Sequence, residues 1–210
     1  MTMAKLRKTL KTTTVMANIV STNKETLKTI FDKVHRVYYF ANNKSEQGAV
    51  LPLGSLTGGV EFPVLEDGVS FDTGEPDKNE VKLTDGTTWT SKVSQGESDI
   101  SFQVSSVHAT INDILMEKKT AAVISTGVQI GDYDYTGQGY SLAPKKIGGA
   151  LVMVSSDGLS GVYLPDVEMF ASFNGEGGDD STGFYNVSVT PLTDANGAGF
   201  YILSGTAHSA

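Results

Sequence analysis

The chain has 210 residues, enough for one large β domain or two small ones, and its 23 glycines suit a fold with many turns. It has no cysteine, which excludes a disulfide framework and a cysteine-ligated metal. Its net charge of -8 is unevenly spread: residues 1–36 hold eight Lys or Arg and two acids, residues 37–210 hold eight and 22, an acidic body ill suited to gripping phosphate.

Residues 1–20 are polar, basic and rich in Thr. They lack the continuous apolar stretch of a signal peptide and read as an arm that is flexible or ordered by a partner. No apolar run in the chain approaches the ~20 residues of a membrane helix, so a soluble protein made inside the cell is expected. A helix is predicted over Thr22 to Val34. Thr22 and Glu25 form a capping-box pattern, and Leu27, Ile30, Phe31 and Val34 form one apolar stripe. The aromatic run His35 to Phe40 is expected to begin a sheet, followed by a loop-rich connector.

Strands dominate from Val60. Val60, Phe62 and Val64 alternate up to a predicted turn at Glu66–Gly68, and "VSFDT" reads as a short strand. Gly74 to Gly86 is polar with two turn signals, which predicts a long hairpin arm. Trp89, the only tryptophan, reads as a core aromatic together with Phe102 and Tyr185, rather than as a sugar-stacking platform. Ile100, Phe102 and Val104 alternate as a half-buried strand. Ile111, Ile114 and Leu115 then fall at helical spacing, and Lys118 and Lys119 suit a last helical turn.

Ala121 to Ile130 predicts a further strand, and "GDYDYTGQG" a turn-rich loop. The last third reads as strands separated by the Asp157-Gly158 turn, the loop Asn174 to Gly183 and the "DANG" turn. Eight to ten strands at short intervals predict a sandwich or barrel. The expected fold is mainly β: an antiparallel β-sandwich or half-barrel flanked by one short helix. The division expected is residues 1–50 as a basic arm and helix, and 51–210 as the β domain.

Chemistry-bearing motifs are sparse. His35, His108 and His208 are scattered without ligand-like neighbours, and there is no G-x-S-x-G elbow or Walker-type loop. Asp132 and Asp134 in one loop, and Glu176, Asp179 and Asp180 in another, offer oxygens to Ca²⁺ but lack EF-hand spacing, so solvated loops are the default. No cofactor, metal or catalytic residue is expected, and the chain reads as a non-enzyme.

"EDGVSFDTGEP", a polar arm, "TTWTSKVSQGESDISFQV", the helix "HATINDILMEKK", then "GALVMVSSDGLSGVYLPDVEMFASF" and "YNVSVTPLTD" follow one another in the chain. Over about residues 55–205 this order resembles the phage tail tube (major tail) proteins, and more distantly the tube subunit of type VI secretion systems. The basic N-terminal 50 residues are an addition to a minimal tube subunit. The resemblance implies a structural subunit that self-assembles into stacked, six-membered rings forming a conduit for DNA. Its partners would be copies of itself and other tail proteins. DNA would be passing cargo without specific binding, and no membrane would be involved. Its place would be the tail of a virion assembled in the host bacterial cytoplasm.

On that reading the candidate subunit-interface residues are Glu75, Asp77, Lys78, Glu80 and Lys82 on the polar arm, Ile111, Ile114 and Leu115 on the helix, and Lys5, Arg7 and Lys8 on the basic arm. The candidate lumen-lining acids, which would repel phosphate over roughly a Debye length of ~8 Å, are Asp99, Asp113, Glu117, Asp157, Asp166, Glu168, Glu176, Asp179, Asp180 and Asp194. The alternative reading is a β-sandwich surface adhesin or carbohydrate-binding module.

Overall fold

The computed structural model describes residues 33–175 and 183–206. Among these, twelve strands and one α-helix follow in chain order. They are β1 (Val34–Phe40), β2 (Val60–Phe62), β3 (Val64–Asp72), β4 (Asp77–Lys82), β5 (Thr88–Ser94), β6 (Asp99–Val104), α1 (Ala109–Leu115), β7 (Lys118–Ile130), β8 (Tyr133–Tyr140), β9 (Ile147–Ser155), β10 (Ser160–Asn174), β11 (Phe184–Leu192) and β12 (Tyr201–Ser204). The fold is mainly β, with one short helix, and the expected half-barrel is a nearly closed, barrel-like antiparallel sheet.

The sheet runs β2-β1-β9-β10-β11-β6-β3, and β12 pairs with the first residues of β10, ahead of the stretch that pairs with β11. Its two ends, β2 and β3, are neighbours in sequence, separated only by Pro63. Proline lacks the N–H a central strand needs, so one extended segment divides there. Its first part pairs with β1 and its second with β6. The Pro63 carbonyl stays satisfied by accepting from the Ser105 N–H at 3.0 Å.

Alternation explains the interior. Val37 and Tyr39, Phe62, Ile100, Phe102 and Val104, and Tyr185, Val187 and Val189 send alternate side chains into one core. Tyr39, Phe62 and Phe102 stack in series, with centroids 5.6 and 5.8 Å apart. β9 and the first half of β10 are apolar almost without alternation because both of their faces are covered. Leu151, Met153 and Leu164 fill the interior, while Ala150, Val152 and Tyr163 pack outside against Leu53, Leu56 and Leu203.

The helix covers part of that interior: Ile111 and Leu115 are 5% and 0% exposed within the core, and Ile114 packs against it. These three residues therefore do not present an interface. A short amphipathic helix must bury its stripe, and this one buries it in its own barrel. The helix is also shorter than the spacing suggested. It ends at Leu115, and Lys118 and Lys119 open β7. His108 caps its start, its Nδ1 accepting from the Thr110 N–H at 3.3 Å. The Lys145 ammonium closes its end, donating to the carbonyls of Asp113, Ile114 and Met116 at 2.8, 2.9 and 3.2 Å.

Other sequence expectations need correction. Val34–Phe40 pairs with β9, so the β domain does not begin at residue 51. Residues 22–32 of the predicted N-terminal helix lie outside the described residues, Lys33 is in no helix, and Val34 belongs to β1. The Glu66–Gly68 triplet is not a turn. It lies inside β3, where Val64 pairs with Val104 and Val69 with Phe102, so three extra residues bulge from the ladder. "GDYDYTGQG" is not a loop beyond its first two residues, because Tyr133–Tyr140 forms β8.

Candidate assembly surface

Two hairpins stand outside the barrel. β4 pairs only with β5, and β7 only with β8, and nearly every residue of both is exposed. Each hairpin therefore has two outer edges with no ladder partner among the described residues, the arrangement that invites another chain's strand.

The first hairpin continues the β3–β6 pair across a narrow waist. There the Gly96 N–H donates to the Glu75 carbonyl at 3.1 Å, and the Gln95 side-chain amide donates to the Thr73 carbonyl at 3.0 Å. Gly74 has φ +80, and a Cβ on it would meet the Glu97 carbonyl oxygen at 2.6 Å. A Cβ on Gly96 would strike the Glu75 carbonyl oxygen. Glycine alone lets the two strands approach this closely. Of the predicted interface residues, Glu75 lies at the waist and Asp77, Lys78, Glu80 and Lys82 beyond it, all exposed. Glu80 is shared between Lys78 at 2.5 Å and Lys82 at 3.9 Å, so these charges are largely internal to the hairpin. Trp89 is not a core residue: it is 72% exposed on β5.

The second hairpin is fixed firmly at its root. The Tyr140 hydroxyl donates to Asp113 Oδ1 at 2.8 Å, Lys118 pairs with Asp113 at 3.0 Å, and the Ser141 N–H donates to the Glu117 carbonyl at 2.8 Å. The Asp113 carboxyl is held below the usual carboxylate range, first by the Tyr140 hydroxyl and then by Lys118. Burial, then the bond to Asp113, pushes the Tyr140 hydroxyl up to about 12. Gln138 bridges the bulge above, its side-chain amide donating to the carbonyls of Lys119 and Ala122 at 2.7 and 3.1 Å. At the tip Val128 lies opposite Tyr135 and Ile130 opposite Tyr133, four large apolar or aromatic side chains left exposed. Paired across strands, they form one contiguous face.

Most of the predicted lumen acids among the described residues have partners within the chain. Asp113 and Glu117 pair with Lys118 and Lys119, and Glu168 with Lys146 at 2.5 Å. Asp157 and Asp194 accept backbone N–H groups within their own turns. Asp99 lies opposite Asp72 at the mouth of β6. Asp166 is 7% exposed, pairs with Lys44 at 2.9 Å and accepts from Asn43 at 3.1 Å, so it holds the structure and lines no surface. Glu176, Asp179, Asp180, Lys5, Arg7 and Lys8 lie outside the described residues.

On the outer side of β3, β6, β11 and β10 is an open hollow of about 570 Å³. Ser70, Ser101, Ser172 and Ser188 line it with Phe170, and Gln103 donates to Asn186 Oδ1 at 3.1 Å within it. Among the described residues, no charged side chain lines it. Among the described residues, no cluster of His, Asp and Glu is arranged to hold a metal ion. No protein-family model and no curated protein matches the chain. The fold therefore defines only a mainly antiparallel β protein whose described surface is distinguished by two unpartnered hairpins.

Proposed function

We propose that this chain is a structural, non-enzymatic subunit that self-assembles, of the phage tail tube kind, in which stacked rings form a conduit for DNA. The observation that carries this reading is the pair of hairpins, solvated on both faces and open at both edges. A monomer has no use for a strand of 13 residues that covers nothing. A second copy does, because edge pairing supplies main-chain hydrogen bonds and the apolar tip supplies contact area. The two hairpins differ from each other and from the body, so the contact joins unlike surfaces. Such a contact closes into a ring or repeats as a filament.

The proposed setting is the tail of a virion assembled in a bacterial cytoplasm, with copies of the chain and other tail proteins as partners. The acidic charge of residues 37–210 supports a passage for DNA without adhesion, as carboxylates repel phosphate. The basic arm, with Lys5, Arg7 and Lys8, is proposed to meet an acidic neighbour. Negative-stain imaging and sedimentation across a concentration series test the reading. Rings or tubes are expected to appear with concentration and to weaken as salt screens the arm. A particle that stays monomeric throughout would overturn it, and assembly indifferent to ionic strength would remove the arm's role alone.

The hydroxyl- and amide-lined hollow beside Phe170 favours a second reading, a carbohydrate-binding module, since uncharged polar groups next to an aromatic face suit a sugar. Binding to a glycan array by a stable monomer would favour that reading over the first.

A further inference from the structure

The hairpin tip of β7 and β8 is a broad face, whereas the other hairpin carries one large aromatic, Trp89, with the smaller Val81 and Val93 also exposed. Trp89 is 72% exposed, and Thr88, Thr90 and Ser91 beside it are small. Across from it on β4, Lys82 lies opposite Thr88, the residue next to Trp89, and shares Glu80 with Lys78. The body has an apolar cleft of about 410 Å³ between the segment Val50–Leu53 and β12. Leu51, Leu53, Tyr163, Pro165 and Leu203 line it, and Ile202 stands 77% exposed on its rim. Tyr163 and Tyr201 stack at 5.8 Å along it, which makes a rigid aromatic wall. Its charged lining residue is Asp194, and the chain carries no Lys or Arg after Lys146.

We infer that Trp89 of one copy seats in this cleft of the next, with Lys82 brought toward Asp194. The inference rests on the self-assembly reading and specifies its contact. A lone aromatic knob and an apolar cleft on different surfaces of one chain meet between copies, and a head-to-tail arrangement of that contact extends into the ring or filament proposed. Trp is also among the residues enriched at the hot spots of such contacts. The flanking charges are opposite in sign, which sets register more than strength.

Trp89 is the sole tryptophan, so its fluorescence reports this one site in the full-length protein. On assembly its emission should shift to the blue and its quenching by acrylamide should fall. Trp89→Ala should leave the urea midpoint unchanged and raise the concentration needed for assembly by about 30-fold, the effect of an interface hot spot. Since the chain has no native cysteine, Thr88→Cys and Ile202→Cys chains can be mixed with Trp89 left in place and treated with a short bis-maleimide. A covalent pair should form in the mixture and in neither chain alone. Assembly with Trp89 still fully quenchable overturns this contact but leaves self-assembly standing. So does linkage within the Thr88→Cys sample alone, or within one dilute chain carrying both cysteines. Absence of assembly at every concentration overturns both.

Discussion

Asn43 shows how much a single side chain can hold. Its amide donates to the carbonyls of Gly149 and Pro165 at 3.1 and 2.9 Å and to Asp166 Oδ1, and it is 4% exposed. It ties the connector after β1 to the irregular stretch of β10, where the ladder with β9 slips between Leu164 and Val167. Asn43→Ala removes this donor from the carbonyls of Gly149 and Pro165 and leaves Asp166 to Lys44. It should cost about 2–3 kcal/mol, read as a lower urea midpoint at unchanged slope. Nothing in "ANNKSEQG" announces this: the segment has the composition of a loop, and the acceptors lie more than a hundred positions along the chain. The Asp113 site responds to acid. Its folded-state pKa is depressed, so its contribution is complete above the ordinary carboxylate range and is lost as pH falls through the lowered value. Hydrogen exchange at the root of β7 and β8 should therefore speed up on acidification, and Asp113→Asn should abolish that pH dependence.

At the scale of elements, the glycine waist decides how the first hairpin is carried. Gly96→Val would push the β3–β4 side away from the β5–β6 side at the Glu75 carbonyl. Amide exchange in β4 and β5 should then rise, while β9 and β10 keep their protection. Elements with strong alternation were legible in the sequence: β6, β11 and the apolar run of β9 follow directly from their residues. Two kinds of element were not. The Glu66-Asp67-Gly68 triplet has the chemistry of a turn, yet β6 continues beside it and absorbs it as a bulge. Asp132 to Gly139 has the glycines of a loop, yet Tyr133 and Tyr135 meet β7 across a tight reversal. In both cases the partner strand decided, and pairing is not written locally. For the same reason the spacing of the helical stripe shows that it is buried but not against what. Ile111 and Leu115 fit a partner's surface as well as their own barrel until the barrel's open interior is known.

At the scale of the whole molecule, the body and its projections follow opposite rules. The body hides its margins by bringing β2 and β3 together, and the hairpins leave theirs bare. The charge asymmetry and the hairpin arm were readable from composition, whereas the near-closure of the sheet was not, because it depends on pairings such as Val37 with Met153. Pro63 is where that closure is sealed. A circular permutant opened at this proline would free both terminal strands from their covalent clasp and unroll the cylinder into a curved ribbon. Its assemblies would then lose their fixed size, since the body itself would compete with the hairpins for every incoming strand.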